Sequence, residues 1–89
     1  MLYMVIERFK NGGPQPVADR FKQSGRMLPD GLSYVMSWVE TSGARCFQLM
    51  ETSEPGTLQT WMRRWDDLVE FEVVPVLAST EFWAQPQFQ

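Results

Sequence analysis

Three small polar side chains fall on one face of two neighbouring predicted strands. Ser37 lies in one strand, while Cys46 and Gln48 lie two residues apart in the next, so their side chains point the same way. The surrounding residues are apolar, and a few converging polar groups in an apolar site are typical of a small-molecule pocket. Two interpretations stay open: a ligand pocket, or core polar groups that satisfy one another, the backbone or a buried water.

Glu7 is the carboxylate whose position favours chemistry. It follows strand residues that are apolar on both faces, and burial would raise its pKa enough for proton transfer near neutral pH. A salt bridge to an arginine such as Arg20 or Arg26 is the alternative.

Aromatic side chains supply possible stacking surfaces for a planar ligand. Tyr34 and Trp38 share a predicted strand face with Met36, so we expect them at a cavity or at a dimer interface. Trp61 and Trp65 belong to the apolar stripe of a predicted helix, and we expect them in the core. The ligand-binding candidates are thus Glu7, Tyr34, Ser37, Trp38, Cys46 and Gln48.

The 89 residues include no histidine, which excludes several chemistries. A Ser/His/Asp or Cys/His triad and ordinary zinc or haem ligation by histidine are ruled out. Without a histidine base, Cys46 is expected to be an inert buried thiol. Asp66 and Asp67 are adjacent on a helix and diverge by about 100°, so they form no carboxylate pair. We expect no metal and no cofactor, and catalytic residues stay unassigned.

Charge and composition limit the partners and the compartment. The net charge is −3, and the only adjacent basic residues are Arg63 and Arg64, so nucleic-acid binding is not expected. Met1 to Ile6 is too short an apolar run for a signal peptide or a membrane span. The single cysteine fits a reducing cytoplasm.

The elements that must position these residues follow the order βαββαβ. Strands are predicted at Leu2–Phe9, Leu32–Glu40, Arg45–Glu51 and Glu70–Ser79. The first helix begins near Pro16 and ends at Gly25. The second is capped by Ser53 and carries an apolar stripe of Leu58, Trp61, Met62, Trp65, Leu68 and Val69.

This order predicts an α+β, ferredoxin-like domain over residues 1–79, with a four-stranded antiparallel sheet and both helices on one face. Pro75 favours an edge position for the last strand. Residues 80–89 form a C-terminal tail with three aromatic side chains, either an arm across a partner subunit or a loose terminus.

All four strands are apolar on both faces, although two helices cover only one face. The other face would expose a patch of roughly 400 Å² before side-chain relief is counted. That area is large for a monomer, so we expect two copies to stack these faces about a two-fold axis as a dimeric α+β barrel.

Five stretches resemble an uncharacterised bacterial domain-of-unknown-function family: Leu2–Phe9, Gly25–Pro29, Ser37–Val39, Arg45–Glu51 and Trp65–Val76. The resemblance implies the dimeric α+β barrel fold, whose superfamily includes muconolactone isomerases, antibiotic-biosynthesis monooxygenases and stress-responsive barrel proteins. It implies no established activity. The haem-degrading members of that superfamily rely on a histidine ligand, which is absent here.

Three functions follow as hypotheses. The first is a homodimer that binds a small apolar or aromatic molecule. The second is a cofactor-independent monooxygenase or isomerase in which Glu7, Tyr34 or Gln48 assists proton movement. The third is a dimeric interaction module without a ligand. A cavity favours the first two, and an ionisable group inside it favours the enzyme.

Overall fold

The strands and helices follow the chain in the order expected from sequence, and a short helix is added near the C-terminus. The computed structural model describes residues 1–89. Its elements are β1 (Leu2–Phe9), α1 (Gln15–Ser24), β2 (Ser33–Val39), β3 (Arg45–Glu51), α2 (Gly56–Arg63), β4 (Val69–Val76) and α3 (Ser79–Trp83), followed by a 3₁₀ turn at Pro86–Phe88.

The four strands form one antiparallel sheet in the order β2-β3-β1-β4. With the helices on one face, this arrangement confirms the α+β ferredoxin-like fold. Pro75 lies in β4, at the edge of the sheet, where a strand tolerates the missing backbone donor. No helix of the chain has the length and apolar composition needed to cross a membrane.

The core lies between the two helices and one face of the sheet. Residues along β1 and β3 alternate between buried and partly exposed, because successive side chains of a strand point to opposite faces. The buried face of the sheet carries Glu7 and Gln48 as well as apolar residues. The apolar core cluster consists of Tyr3, Val5, Leu32, Met50, Leu58, Trp61 and Trp65.

The opposite face, here called the open sheet face, is not covered by α1 or α2, whose residues lie against the buried face. Its apolar side chains are Leu2, Met4, Ile6, Met36, Trp38, Phe47, Leu49, Val74 and Val76. Trp38 is 48% exposed and Met36 is 51% exposed. Charged residues lie at one end of this face, where Arg45 pairs with Glu40 and Arg8 approaches Glu72.

A bulge in β2 overturns one expectation about its aromatic residues. Tyr34 pairs with Met50 and Met36 pairs with Leu49, so Val35 is an extra residue between two consecutive pairs. A bulge residue changes which face the following side chains occupy. Tyr34 therefore shares a face with Ser37, and the prediction that Tyr34 and Trp38 lie on one face is wrong.

The start of α2 also differs from the expectation. The residue before the helix is Pro55, which makes no side-chain cap, so Ser53 is not the N-cap. Thr52 makes the hydrogen bonds before the helix instead: its Oγ1 accepts the backbone N–H of Glu54 at 2.9 Å and the hydroxyl of Thr57 at 3.0 Å. Thr52 is buried, and its hydroxyl satisfies the backbone N–H of Glu54 just before the helix begins.

Four of the six residues of the predicted apolar stripe are buried, and Met62 and Leu68 are partly buried, although the helix is shorter than expected. α2 ends at Arg63, and turns lead to Leu68 before β4 begins at Val69. Trp65 and Val69 are nevertheless buried. The chain must leave the helix here, because Val69 pairs with Phe9 as the first residue of the edge strand.

The C-terminal residues form α3 and a 3₁₀ turn, and an arm across a partner subunit stays a prediction. The rings of Phe82, Trp83 and Phe88 pack on one another with centroids 4.9 to 5.2 Å apart, and all three stay exposed. The division into a domain of residues 1–79 and a tail of 80–89 stays a prediction.

Candidate functional site

A half-open cavity of about 200 Å³ lies between the helices and the buried face of the sheet. We call it the helix-side cavity. Eight of its twelve lining residues are hydrophobic, and four of the six candidate residues border it. The lining consists of Glu7, Phe9, Val17, Phe21, Arg26, Ser37, Val39, Cys46, Gln48, Trp61, Trp65 and Val69.

Strand pairing brings the polar residues together. Glu7 in β1 lies opposite Cys46 in β3, and Ser37 in β2 lies opposite Gln48 in β3. Directly opposed residues of an antiparallel pair point to the same face, with Cβ atoms about 4.5–5.5 Å apart. Three adjacent strands therefore supply the polar floor of the helix-side cavity.

A chain of hydrogen bonds links a carboxylate to a guanidinium across this floor. Gln48 Nε2 donates to Glu7 Oε2 at 2.7 Å, and Arg26 Nε donates to Gln48 Oε1 at 3.0 Å. Neither arginine considered from sequence forms a direct ion pair with Glu7. Arg20 instead binds Asp67, with an Nη2 to Oδ2 distance of 2.7 Å, and Arg26 reaches Glu7 only through the Gln48 amide.

Burial raises the pKa of Glu7 from 4.5 to about 7. The side chain is only 6% exposed, and desolvation disfavours its charged form. The Gln48 hydrogen bond, the Arg26 charge and a contact with Cys46 lower the pKa and offset part of this effect. The carboxyl is thus divided between its two protonation states near neutral pH.

Cys46 is a thiol at neutral pH. Burial raises its pKa to about 11, and the negative charge of Glu7 adds to the effect against the weaker influence of Arg26. A nucleophilic cysteine needs a lowered pKa, so this environment disfavours thiolate chemistry. The residue contributes shape and a weak donor to the cavity floor.

Arg26 is the functional residue that sequence reasoning missed as part of the site. Its guanidinium carbon lies 3.6 Å from the centroid of the Tyr34 ring and 5.3 Å from that of Phe21. Its backbone carbonyl accepts the indole N–H of both Trp61 and Trp65, each at 3.0 Å. Arg26 thus binds β3 through its side chain and the two tryptophans through its backbone carbonyl.

The backbone around Arg26 explains how a loop residue reaches the cavity. Gly25, which ends α1, has φ 66°, and Met27 has φ 59°. The left-handed region costs little for glycine but is unusual for methionine. The glycine after the helix was visible in the sequence, whereas nothing in the spacing showed that the next side chain turns over the sheet.

The two aromatic candidates separate. Tyr34 stands beside the cavity, where its hydroxyl lies 2.7 Å from Ser37 Oγ and its ring packs on Arg26. Trp38 pairs with Phe47 on the open sheet face and does not border the helix-side cavity. Strand alternation separates Trp38 from its neighbour Ser37, so it cannot contact a ligand in this cavity.

The ionisable groups of the cavity suit hydrogen bonding and proton transfer. A carboxyl that is half protonated can donate or accept a proton, and an amide and a guanidinium lie next to it. The chain contains no group of three or more His, Cys, Asp or Glu side chains placed to hold a metal ion.

The fold and the cavity define a small α+β ferredoxin-like protein whose helix-side cavity contains a carboxyl that titrates near neutral pH. The family model described as "Domain of unknown function (DUF3303)" matches residues 1–85, and the chain belongs to this family. This match confirms the expected resemblance to an uncharacterised domain family. No curated protein and no solved structure matches the chain. Membership of the dimeric α+β barrel superfamily stays a prediction.

Proposed function

We propose that the chain binds a small, largely apolar molecule in the helix-side cavity and acts as a homodimer. The observation that carries the binding proposal is the cavity of about 200 Å³ with a predominantly hydrophobic lining. An engineered apolar cavity of about 150 Å³ holds benzene. The helix-side cavity therefore suits one substituted ring or a molecule of similar size.

The polar floor gives such a ligand an orientation. Glu7, Gln48 and Arg26 lie in one hydrogen-bonded chain, while the aromatic rings of Phe21, Trp61 and others form the walls. A few polar groups in an apolar pocket fix one polar atom of a ligand while the walls bind its apolar body. The cavity is what favours ligand binding over a module that only makes protein contacts.

The open sheet face supports the homodimer proposal. Its apolar side chains include Trp38 and Met36, both about half exposed, and no element of the chain covers them. Opposite charges line one end of the face, so a two-fold copy could place Arg8 or Arg45 near a partner carboxylate. Stacking two such faces would remove a large apolar surface from water.

We also propose a cytoplasmic setting. Cys46 is the single cysteine, it is buried, and it forms no disulfide. A protein stabilised without disulfides is suited to a reducing compartment.

Tryptophan fluorescence tests binding, because Trp61 and Trp65 line the cavity. The probe is 4-nitroanisole, a neutral nitroaromatic that quenches indole emission, in a Trp38→Phe/Trp83→Phe background that removes the tryptophans outside the cavity. We expect saturable quenching. Val17→Phe fills the cavity and should weaken binding about tenfold or more, which corresponds to about 1.4 kcal/mol.

Val35→Phe is the matched control. It adds the same ring at an exposed bulge residue outside the cavity, so binding should stay within about twofold of the parent. Quenching that does not saturate, or that is equal in the two variants, would contradict the binding proposal. Native mass spectrometry of freshly purified protein adds a second measurement, since a retained ligand would appear as extra mass.

A cofactor-independent isomerase or monooxygenase is the second candidate function. The observation that favours it is the buried Glu7 carboxyl with a pKa of about 7, at the cavity floor. Such a group can act as a general base near neutral pH. Cyclohexanone in D₂O tests this, since base catalysis exchanges its α-hydrogens for deuterium, as NMR can measure.

We expect exchange above the buffer rate with the unmodified chain. Glu7→Gln should abolish this excess, while Glu54→Gln, at an exposed carboxylate outside the cavity, should retain it. Exchange at the buffer rate with bound ketone, or equal exchange in both variants, would contradict the enzyme hypothesis.

A further inference from the structure

Arg26 has hydrogen-bond donors that the chain does not use. Its Nε binds Gln48, but neither Nη atom has a partner in the chain. The guanidinium carbon lies 3.6 Å from the centroid of the Tyr34 ring and 5.3 Å from that of Phe21, so aromatic rings pack on the group. Because guanidinium donors point outward in the plane of the group, a ligand oxygen can bind Arg26 at its two free Nη atoms.

The charges around the helix-side cavity are balanced. Arg26 is the only cation among the lining residues, and Glu7 is the only carboxyl. The groups that face Glu7 from neighbouring elements are Cys46 on β3 and the uncharged Phe71 on β4. The walls from α1 and α2 contribute apolar and indole side chains alone. When Glu7 is ionised, one positive and one negative charge therefore compensate each other, and when Glu7 is protonated Arg26 carries the only charge.

This balance restricts the charge of the ligand. A carboxylate would place a second negative charge beside a single guanidinium, and an unpaired charge in a buried site is costly. It could bind only to the chain in which Glu7 is protonated, so its binding would draw a proton from solvent wherever Glu7 is ionised. A neutral ligand with an acidic hydroxyl adds no charge, and it still offers an oxygen to Arg26.

Resting on the proposed binding function, we propose that the ligand is a ring-sized phenol or enol whose oxygen binds the free Nη donors of Arg26 and whose hydroxyl proton passes to Glu7. The O–H bond of the ligand breaks, its electron pair stays on the ligand oxygen, and an O–H bond forms on Glu7. The total charge is unchanged and no co-reactant is needed. Gln48, between the two groups, remains a hydrogen-bond partner of both and holds them in register.

The test uses 4-nitrophenol, whose phenol and phenolate forms absorb at different wavelengths. The neutral control is 4-nitroanisole, which has the same ring with a methyl group in place of the acidic proton. At about pH 7, where free 4-nitrophenol is a mixture of phenol and phenolate and Glu7 is divided between its two protonation states, the bound probe should show the phenolate spectrum alone. It should bind about tenfold more tightly than 4-nitroanisole or better, as expected for a hydrogen bond to a charged group.

Calorimetry in buffers of different ionisation enthalpy then counts protons exchanged with solvent. In the unmodified chain, binding of 4-nitrophenol should release none, because Glu7 takes the proton. Glu7→Gln removes this acceptor, so phenolate binding at about pH 7 should release about half a proton per ligand, which is what free 4-nitrophenol carries at this pH. Benzoate should behave in the opposite way and take up about half a proton on binding to the unmodified chain, because Glu7 is half protonated beforehand.

Substitution of Arg26 tests the oxygen contact. Arg26→Met should reduce the affinity for 4-nitrophenol to that for 4-nitroanisole, while Arg63→Met, at an exposed position outside the cavity, should change neither. Unchanged 4-nitroanisole binding shows that the variant cavity is intact. The backbone carbonyl that holds Trp61 and Trp65 is retained in Arg26→Met.

The outcomes separate this inference from the function on which it rests. If neither probe binds, the proposed binding function fails. If both bind equally and the bound 4-nitrophenol stays protonated, the binding function stands and the phenol or enol assignment is overturned. The spectrum and the proton count of the unmodified chain decide this point even if a variant does not fold.

Discussion

Gln48 Nε2 donates a hydrogen bond to Glu7 Oε2 over 2.7 Å, and both side chains are 6% exposed. The bond joins the two central strands, β1 and β3, on their buried face. Because Gln48 also accepts from Arg26, its amide orientation is determined by a carboxylate on one side and a cation on the other. The hydrogen bonds among Glu7, Gln48 and Arg26 hold the Glu7 carboxyl at the floor of the helix-side cavity, where a ligand can contact it.

Replacing Gln48 should raise the pKa of Glu7 further. The Gln48 hydrogen bond lowers that pKa because it stabilises the carboxylate. Gln48→Met removes this donor, so the rise in pKa caused by desolvation is less opposed. We expect the Glu7 carboxyl to titrate above about 7, as ¹³C NMR of labelled glutamate can measure. The exposed Gln59 provides the control, since Gln59→Met should leave the titration unchanged. A Glu7 titration that moves down in Gln48→Met would contradict the role assigned to the amide.

The free energy of unfolding should fall as the pH rises through neutrality. The pKa of Glu7 is raised in the folded chain, so the folded state binds more protons than the unfolded state between 4.5 and about 7. The stabilisation is fully present below pH 4.5 and is lost as the pH rises through about 7. For a single group this amounts to about 2.5 kcal/mol between pH 5 and pH 8.

Urea unfolding at these two pH values measures the effect. Glu7→Gln is neutral at both, so its stability should lack this decline, and the difference between the two chains should grow with pH in favour of the variant. The other shifted carboxyls, Glu40 and Asp67, have lowered pKa values and so titrate below this window. Equal pH dependence in both chains would show that Glu7 titrates normally.

The strands were predictable where the side chains simply alternate between the two faces of the sheet. β1 and β3 match the sequence-based boundaries residue for residue, and along most of both strands buried side chains alternate with partly exposed ones. The same alternation placed Ser37, Cys46 and Gln48 on one face. The bulge at Val35 has no such signal: an extra residue in an apolar strand leaves the sequence equally apolar, and only the pairing partner shows it.

The loop that completes the site could not be predicted from local pattern. Arg26 follows a helix-ending glycine, but its position depends on two indoles from the other helical segment and on a glutamine from β3. These partners are 22 to 39 residues away in sequence. Tertiary contacts over this range determine where the Arg26 side chain lies, whereas helix caps and strand periodicity predict only the conformation of residues close in sequence.

Trp38→Glu should prevent the proposed dimer. It puts a carboxylate in the middle of the open sheet face, where stacking would bury an unpaired charge. Sedimentation equilibrium at micromolar concentration should give twice 10.4 kDa for the unmodified chain and 10.4 kDa for the variant. Gln59→Glu adds the same charge on the exposed side of α2 and should stay dimeric. A mass of 10.4 kDa for the unmodified chain would disprove the dimer.

Trp61 and Trp65 should be coupled in stability through the Arg26 carbonyl. Each indole donates to this oxygen at 3.0 Å, so Trp61→Phe or Trp65→Phe alone leaves it with one donor. The double variant leaves a part-buried carbonyl without either, and an unsatisfied acceptor costs about 1–3 kcal/mol. Urea unfolding of the four chains should therefore show a double variant that is less stable than the sum of the single effects, by about 1 kcal/mol. Additive effects would mean that water replaces the indoles, and that the two tryptophans hold the Arg26 loop by packing alone.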